Sequence, residues 1–175
     1  RELDVRALCT VCGNVDVHTA TSNLCTVLEL IPGQHPVLAK GADRPLARKP
    51  FFANHVHGAN GLGGKRSDQA AASTAAMSER EASEEIGHQI DISQEPLTII
   101  TLGPLTNIAR ALEQDPGLAD NIAEMVIMGG AYLGPGNITS AAEFNIFADP
   151  EAADRVFRSD IPLTAVGLDV TRQVR

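Results

Sequence analysis

Short apolar runs alternate with amphipathic stretches along the chain, and most changeovers carry glycine, proline or asparagine. Residues 5–12, 36–39, 97–102, 125–128 and 161–168 read as strands, and the β-branched 97–102 run is of the type buried on both faces. Between them, residues 18–31 place Ala20, Leu24, Val27, Leu28 and Ile31 at helical spacing, and the Ala- and Glu-rich residues 67–86 read as a helix. Residues 105–112 repeat Leu105, Ile108, Ala109 and Leu112 on one helical face, Asp115-Pro116 closes that helix, and a short helix is expected over 118–122. Asp149-Pro150-Glu151 supplies an N-cap, a proline at the first helical position and an acid in the first turn, opening a helix to Arg158. No hairpin signal interrupts the alternation. Parallel strands need a crossover connection, so this order predicts a parallel sheet with a helix in each crossover. The expected fold is α/β and Rossmann-like, a mostly parallel sheet with flanking helices, formed as one domain over residues 1–175.

Composition narrows what such a sheet can serve. Fourteen basic against 22 acidic residues give a net charge of −8, which argues against binding nucleic acid through phosphate neutralisation and against an anionic membrane surface. No apolar run approaches the roughly 20 residues of a bilayer span. The opening Arg1-Glu-Leu-Asp4 has no leader pattern, so a cytoplasmic protein is expected. Aromatic residues make up 3% with no tryptophan, which leaves Ala, Val, Leu and Ile to build the core. Both ends fall beside strand-like runs, so a larger fold around this chain is also expected.

Three cysteines cannot form a disulfide framework, and an odd count fits a reducing compartment. Cys9 and Cys12 have the C-x-x-C spacing of a redox or zinc half-site. On a strand, however, residues three apart point to opposite faces, and no second pair completes a zinc site. Small buried residues are the better reading.

In open parallel sheets, ligands bind beyond the carboxyl ends of the strands. That rule selects Gly13-Asn14, Gly103-Pro104, Gly129-Gly130 and Asp169. The long loop from Gly129 to Ala148 hangs on one of these ends and carries Asn137, Glu143 and Asn145, the last two sharing a side if the segment is extended. Two carboxamides and a carboxylate can donate to and accept from vicinal hydroxyls, the pattern a sugar requires. Local turn hydrogen bonds are the simpler use of the same side chains. A second long loop, residues 41–66, contains two weaker signals. The glycine-rich run from Gly58 to Gly64 resembles a phosphate cradle but lacks a Gly-Lys-Ser/Thr ending. His55 and His57 make an H-x-H pair without a third metal ligand, so one polar contact to a ligand is the better expectation.

Several motifs occur in a telling order: Cys12-Gly-Asn14, Val56-His-Gly-Ala-Asn-Gly-Leu62, Leu102-Gly-Pro-Leu-Thr-Asn-Ile-Ala109, Met128-Gly-Gly-Ala131, Gly136-Asn-Ile-Thr139, Ala142-Glu-Phe-Asn145, Asp149-Pro-Glu-Ala-Ala153 and Leu168-Asp-Val-Thr171. Together they closely resemble the inosine–uridine-preferring nucleoside hydrolase family over essentially the whole chain. The resemblance implies hydrolysis of the N-glycosidic bond of ribonucleosides to ribose and free base, through an oxocarbenium-like transition state. It implies a bound Ca²⁺ at the strand ends that orients the sugar and, with an Asp, activates the water. By position, Asn14 should reach the ribose or the water, and Asn137, Glu143 and Asn145 match the ribose-binding set. Met128 matches the residue lining the sugar pocket, His57 matches the His of the V-H-G loop, and Leu102 aligns with a backbone carbonyl that ligates calcium. Homo-oligomers, dimeric or tetrameric, are usual in such a family.

The family's D-x-D-P-G-x-D-D motif, which supplies the catalytic base and most carboxylate ligands, has no match here, and neither does its later His-Asp pair. No catalytic acid or base is therefore assigned to this chain. It is expected to be the central part of a nucleoside hydrolase domain, incomplete and inactive alone. The alternative is a non-catalytic relative that binds ribosides or serves as a scaffold. A phosphate-binding module resting on the Gly58–Gly64 run is a third class.

Overall fold

The computed structural model describes residues 3–64 and 76–174. The five strands among the described residues pair only in parallel, as the alternation requires. They form a two-stranded sheet of β1 (Ala7–Cys9) and β2 (Val37–Ala39), and a three-stranded sheet in the order β3 (Leu97–Thr101), β4 (Ile122–Met128), β5 (Leu163–Val166). Each crossover carries a helix. α1 (Val17–Glu29) links β1 to β2. Between β2 and β3 lie the four-residue α2 (Asn54–His57) and α3 (Ala82–Asp91). α4 (Thr106–Gln114) with a 3-10 turn (Pro116–Asn121) links β3 to β4. α5 (Phe144–Ala148) and α6 (Pro150–Phe157) precede β5, and α7 (Leu168–Thr171) follows it.

Caps set several of these boundaries. Asp16 accepts from the backbone N–H groups of His18 and Thr19, both at 3.0 Å, which starts α1 at Val17. Asp149 caps α6 as expected from the sequence, accepting the Ala152 N–H at 3.0 Å.

Residues 67–86 do not make one helix. Residues 67–75 lie outside the described part, and α3 begins only at Ala82. The intervening residues serve as sheet edge: Leu38 donates to the Ala76 carbonyl at 3.0 Å, Ser78 donates to the Leu38 carbonyl at 2.8 Å, and Met77 bridges Leu38 in parallel. The helix expected over 118–122 is the 3-10 turn, with Pro116 at its start and Asp115 accepting the Gly117 N–H, and Ile122 already belongs to β4. β1 is also shorter than the 5–12 run, ending at Cys9.

The core lies on one face of the larger sheet. Met125 and Ile127 of β4, both fully buried, meet Leu105 and Ile108, Ala109 and Ala111 of α4, Ala152, Ala153 and Val156 of α6, and Ile90 of α3. Alanines bring the helix backbones close to the sheet, so this aromatic-poor composition packs with little bulk. Each fully buried Leu, Ile, Val or Met contributes about 1.5–3 kcal/mol. The opposite face differs. Strand alternation sends Thr98 and Ile100 the other way, where Ile100 is 54% exposed. The expectation that β3 is buried on both faces is therefore corrected, because the helices that meet this sheet in the described residues share one side.

Candidate functional site

The carboxyl ends of β3 and β4 come together around one carboxamide. Leu102 follows β3 and Met128 ends β4. Asn145, the second residue of α5, points its side-chain amide at the Met128 carbonyl (3.0 Å), the Met128 sulfur (3.2 Å) and the Leu102 carbonyl (3.3 Å). Two amide protons are thus shared among three acceptors at the ends of two strands.

α5 is a five-residue helix, too short to persist on propensity alone. Its orphan N–H groups are met by side chains: Asn137 Oδ1 accepts from Phe144 (2.8 Å), Glu143 Oε1 from Asn145 (2.9 Å) and Glu143 Oε2 from Ile146 (3.1 Å). Glu143 Oε2 also takes the Gly130 N–H at 3.1 Å, which fastens α5 to the end of β4. Gly130 has φ +87°, a left-handed conformation suited to glycine. Glu143 is 3% exposed. The condition under which Glu143 and Asn145 would share a side of an extended segment is not met: Glu143 alone is extended, at φ −85° and ψ 148°, and the chain turns into helix at Phe144. Local hydrogen bonding, the simpler reading of these loop residues, is what Asn137 and Glu143 do. Oε2 has both acceptor sites taken, whereas Oε1 receives the Asn145 N–H alone, so one site on Oε1 is left for a hydroxyl donor.

Asn14 and His57 sit on a neighbouring pair of segments. Ala53 donates to the Asn14 carbonyl at 2.9 Å, and its own carbonyl accepts the His57 N–H at 3.0 Å. Asn14 is exposed and His57 half-buried at the end of α2. Ala53 also packs against Phe144 and Ala148, with Ile138 beside them. Phe51 extends this seam, edge-on to Phe147 at 5.9 Å and tilted to Phe144 at 6.5 Å. The structure therefore joins Leu102, Met128, Asn137, Glu143 and Asn145 through hydrogen bonds, and brings the Asn14–His57 pair up to them through Ala53 and Phe144. No hydrogen bond among the described residues links the side chains of Asn14 or His57 to the Asn145 group.

The whole chain, residues 1–175, matches the family described as inosine-uridine preferring nucleoside hydrolase. The chain belongs to this family. The pyrimidine-specific ribonucleoside hydrolase RihA of Shewanella woodyi is 44% identical over 169 residues, covering 97% of this chain and 53% of that protein. RihA of Escherichia coli is 42% identical over 174 residues, covering 99% and 55%. Among solved structures, the plant nucleoside hydrolase PpNRh1 superposes with a TM-score of 0.88 at 36% identity, covering 99% of this chain and 54% of that one. The purine-preferring ribonucleoside hydrolase from Gardnerella vaginalis also scores 0.88, at 31% identity and with 97% and 54% covered. The chain thus spans about half the length of the curated relatives it matches.

Ca²⁺ takes about six to eight oxygen ligands, several of them carboxylate. The described residues do not fit that demand. The Leu102 carbonyl is engaged by Asn145, and no three His, Cys, Asp or Glu side chains gather as a metal site among them. His55 is exposed on α2 and completes no ligand set there.

The glycine-rich run closes on itself. Asn60 Oδ1 accepts the N–H groups of Leu62 and Gly64, both at 3.1 Å, where a phosphate cradle would aim them outward. Cys9 and Cys12 are free, and burial pushes both thiols up to about 11, away from the thiolate a redox pair needs. The sequence reading missed Ala53 and Phe144, the apolar contact between the two groups. A four-residue helix inside a loop leaves no periodic signal, but Phe144 sits between two candidate polar residues and could have been read as the packing element between them.

Proposed function

We propose that the protein carrying this chain hydrolyses the N-glycosidic bond of ribonucleosides, releasing ribose and a free base, and that the chain is one portion of that hydrolase domain. Family membership and the Asn145 junction carry the reading. One amide pins the ends of β3 and β4 beside a buried carboxylate and a second carboxamide, donor and acceptor groups suited to vicinal ribose hydroxyls. In this reading Asn14, Asn137, Glu143 and Asn145 bind and orient the sugar, Met128 lines its pocket, and His57 borders the ribose and base. Fixing the sugar ring favours the flattened oxocarbenium geometry of the transition state. Calcium would orient the sugar and water, with ligands beyond those described, so no step is assigned to it through these residues. The catalytic base and leaving-group acid also lie outside this set, and residues 1–175 alone are expected to be inactive.

Relatives include pyrimidine-specific and purine-preferring enzymes, so the proposal covers both base classes. The deciding assay is base release from inosine and uridine by the full-length protein with calcium. Turnover supports the reading, and its absence with both substrates overturns it.

A non-catalytic riboside binder is the second reading, favoured by Glu143 spending both oxygens on helix caps. Calorimetry with ribose separates the two: binding without turnover favours the binder. Three free cysteines fit a cytoplasmic setting, and a homo-oligomer is expected in sedimentation.

A further inference from the structure

Behind the candidate site, buried polar side chains join segments far apart in sequence. Asp149 is fully buried; its Oδ2 accepts from the Thr106 hydroxyl at 2.6 Å and the Leu46 N–H at 2.9 Å, while Oδ1 caps α6. Thr106 is also fully buried. Next to it, the Asn107 side chain donates to the Thr10 carbonyl at 2.8 Å and accepts the Ala42 N–H at 2.9 Å. The Cys12 backbone N–H closes the circuit by donating to the Ala42 carbonyl at 2.9 Å. A Cβ on Gly41 would lie 2.1 Å from the Thr10 carbonyl and 2.5 Å from the Asn107 amide, so only glycine lets these groups meet.

Every segment tied here carries part of the candidate site. Thr10 and Cys12 lead to Asn14. Ala42 and Leu46 open the loop that reaches Ala53 and His57. Thr106 and Asn107 begin the helix that follows Leu102, and Asp149 ends the helix that carries Asn145. Buried polar groups lower stability unless they are satisfied, and an apolar side chain of Thr106's shape could fill the same space. What the polar set adds is directional register between four backbones.

We propose that Thr106, Asn107 and Asp149 are positioning residues: a buried clasp that holds the Asn14, His57, Leu102 and Asn145 segments in mutual register for ribonucleoside binding. The proposal rests on the hydrolase reading for its ligand, and on hydrogen bonds in this structure for the clasp itself.

The test uses Thr106→Val, which keeps shape and removes the hydroxyl, and Thr106→Ser, which restores it. In the full-length protein, T106V is expected to lower kcat/KM for inosine and uridine by about tenfold or more per folded molecule, because small misplacements of positioned groups are costly. T106S is expected to return within about twofold of wild type. In parallel, hydrogen exchange at the Ala53, His57 and Ile146 amides should quicken in T106V and not in T106S. Wild-type kinetics with unchanged exchange in T106V overturn the clasp, as would a lowered melting temperature with neither effect. If the wild-type protein releases no base, the hydrolase reading fails and exchange alone decides the clasp: quickening supports it, and unchanged rates overturn it. Should T106V not fold, T106A, which also removes the hydroxyl donor, takes its place with the same readouts.

Discussion

Glu143 holds three backbone N–H groups on one carboxylate, and this fixes what a change there would do. Glu143→Gln keeps the size but exchanges one acceptor oxygen for an amide. Whichever way the amide turns, at least one buried N–H then faces another donor. The expected loss is about 1–3 kcal/mol, the cost of orphaning a buried polar group, measured by urea unfolding. A loss under about 0.5 kcal/mol, the range of an uninvolved surface residue, would show that these caps do not hold α5. The same residue shows what could be read in the sequence. Its family motif and its place on a strand-end loop were legible, as were those of Asn137 and Asn145. The turn into helix at Phe144 was not. It depends on Asn137, which lies well upstream of the Phe144 N–H that it accepts, and on a glutamate cap outside the usual Ser, Thr, Asp and Asn set.

At the scale of elements, α3 shows tertiary pairing overriding local preference. The Ala- and Glu-rich run favours helix, yet residues 76–78 pair with β2 and the helix starts at Ala82. Pattern alone could not reveal this, because the competing partner, Leu38, is distant in sequence. The alternation, the parallel pairing and the α6 cap were legible because each is written in local spacing. Glu85 secures the junction. It is 2% exposed and accepts from the Ser78 hydroxyl at 2.5 Å and the Gln89 amide at 2.7 Å, with Arg80 at 3.6 Å. Burial alone would raise its pKa, but the hydrogen bonds from Ser78 and Gln89, with His88 and Arg80 nearby, bring it below the usual value. A depressed folded pKa means that the unfolded chain binds the proton more readily. The stabilisation is therefore present above the unfolded value, about 4.3, and is lost as pH falls through the folded value. Glu85→Gln should destabilise the chain at pH 7, and its deficit against wild type should shrink as pH falls below about 4. Urea midpoints measured between neutral pH and the acid side of that range check this, and a constant deficit would remove Glu85 from the account.

At the scale of the whole molecule, the described residues cover the three-stranded sheet on one face only. Parallel sheets are ordinarily packed on both faces, whereas here Met125 and Ile127 are fully buried on one side and Ile100 is 54% exposed on the other. The relatives are nearly twice as long as this chain, so material that could cover the second face exists in proteins of this family. Substitutions separate the two faces. In residues 1–175, Ile127→Ala should cost about 2–5 kcal/mol, as for a buried large-to-small change. Ile100→Ser should cost under about 0.5 kcal/mol, as for a surface position. In a full-length protein the second value should rise toward the first, because covering the face would turn Ile100 into a core residue. Denaturant unfolding of the same pair at both lengths measures this. An Ile100→Ser cost that stays small at full length would mean that the face meets solvent in the complete fold, and that its apolar residues serve something other than the core.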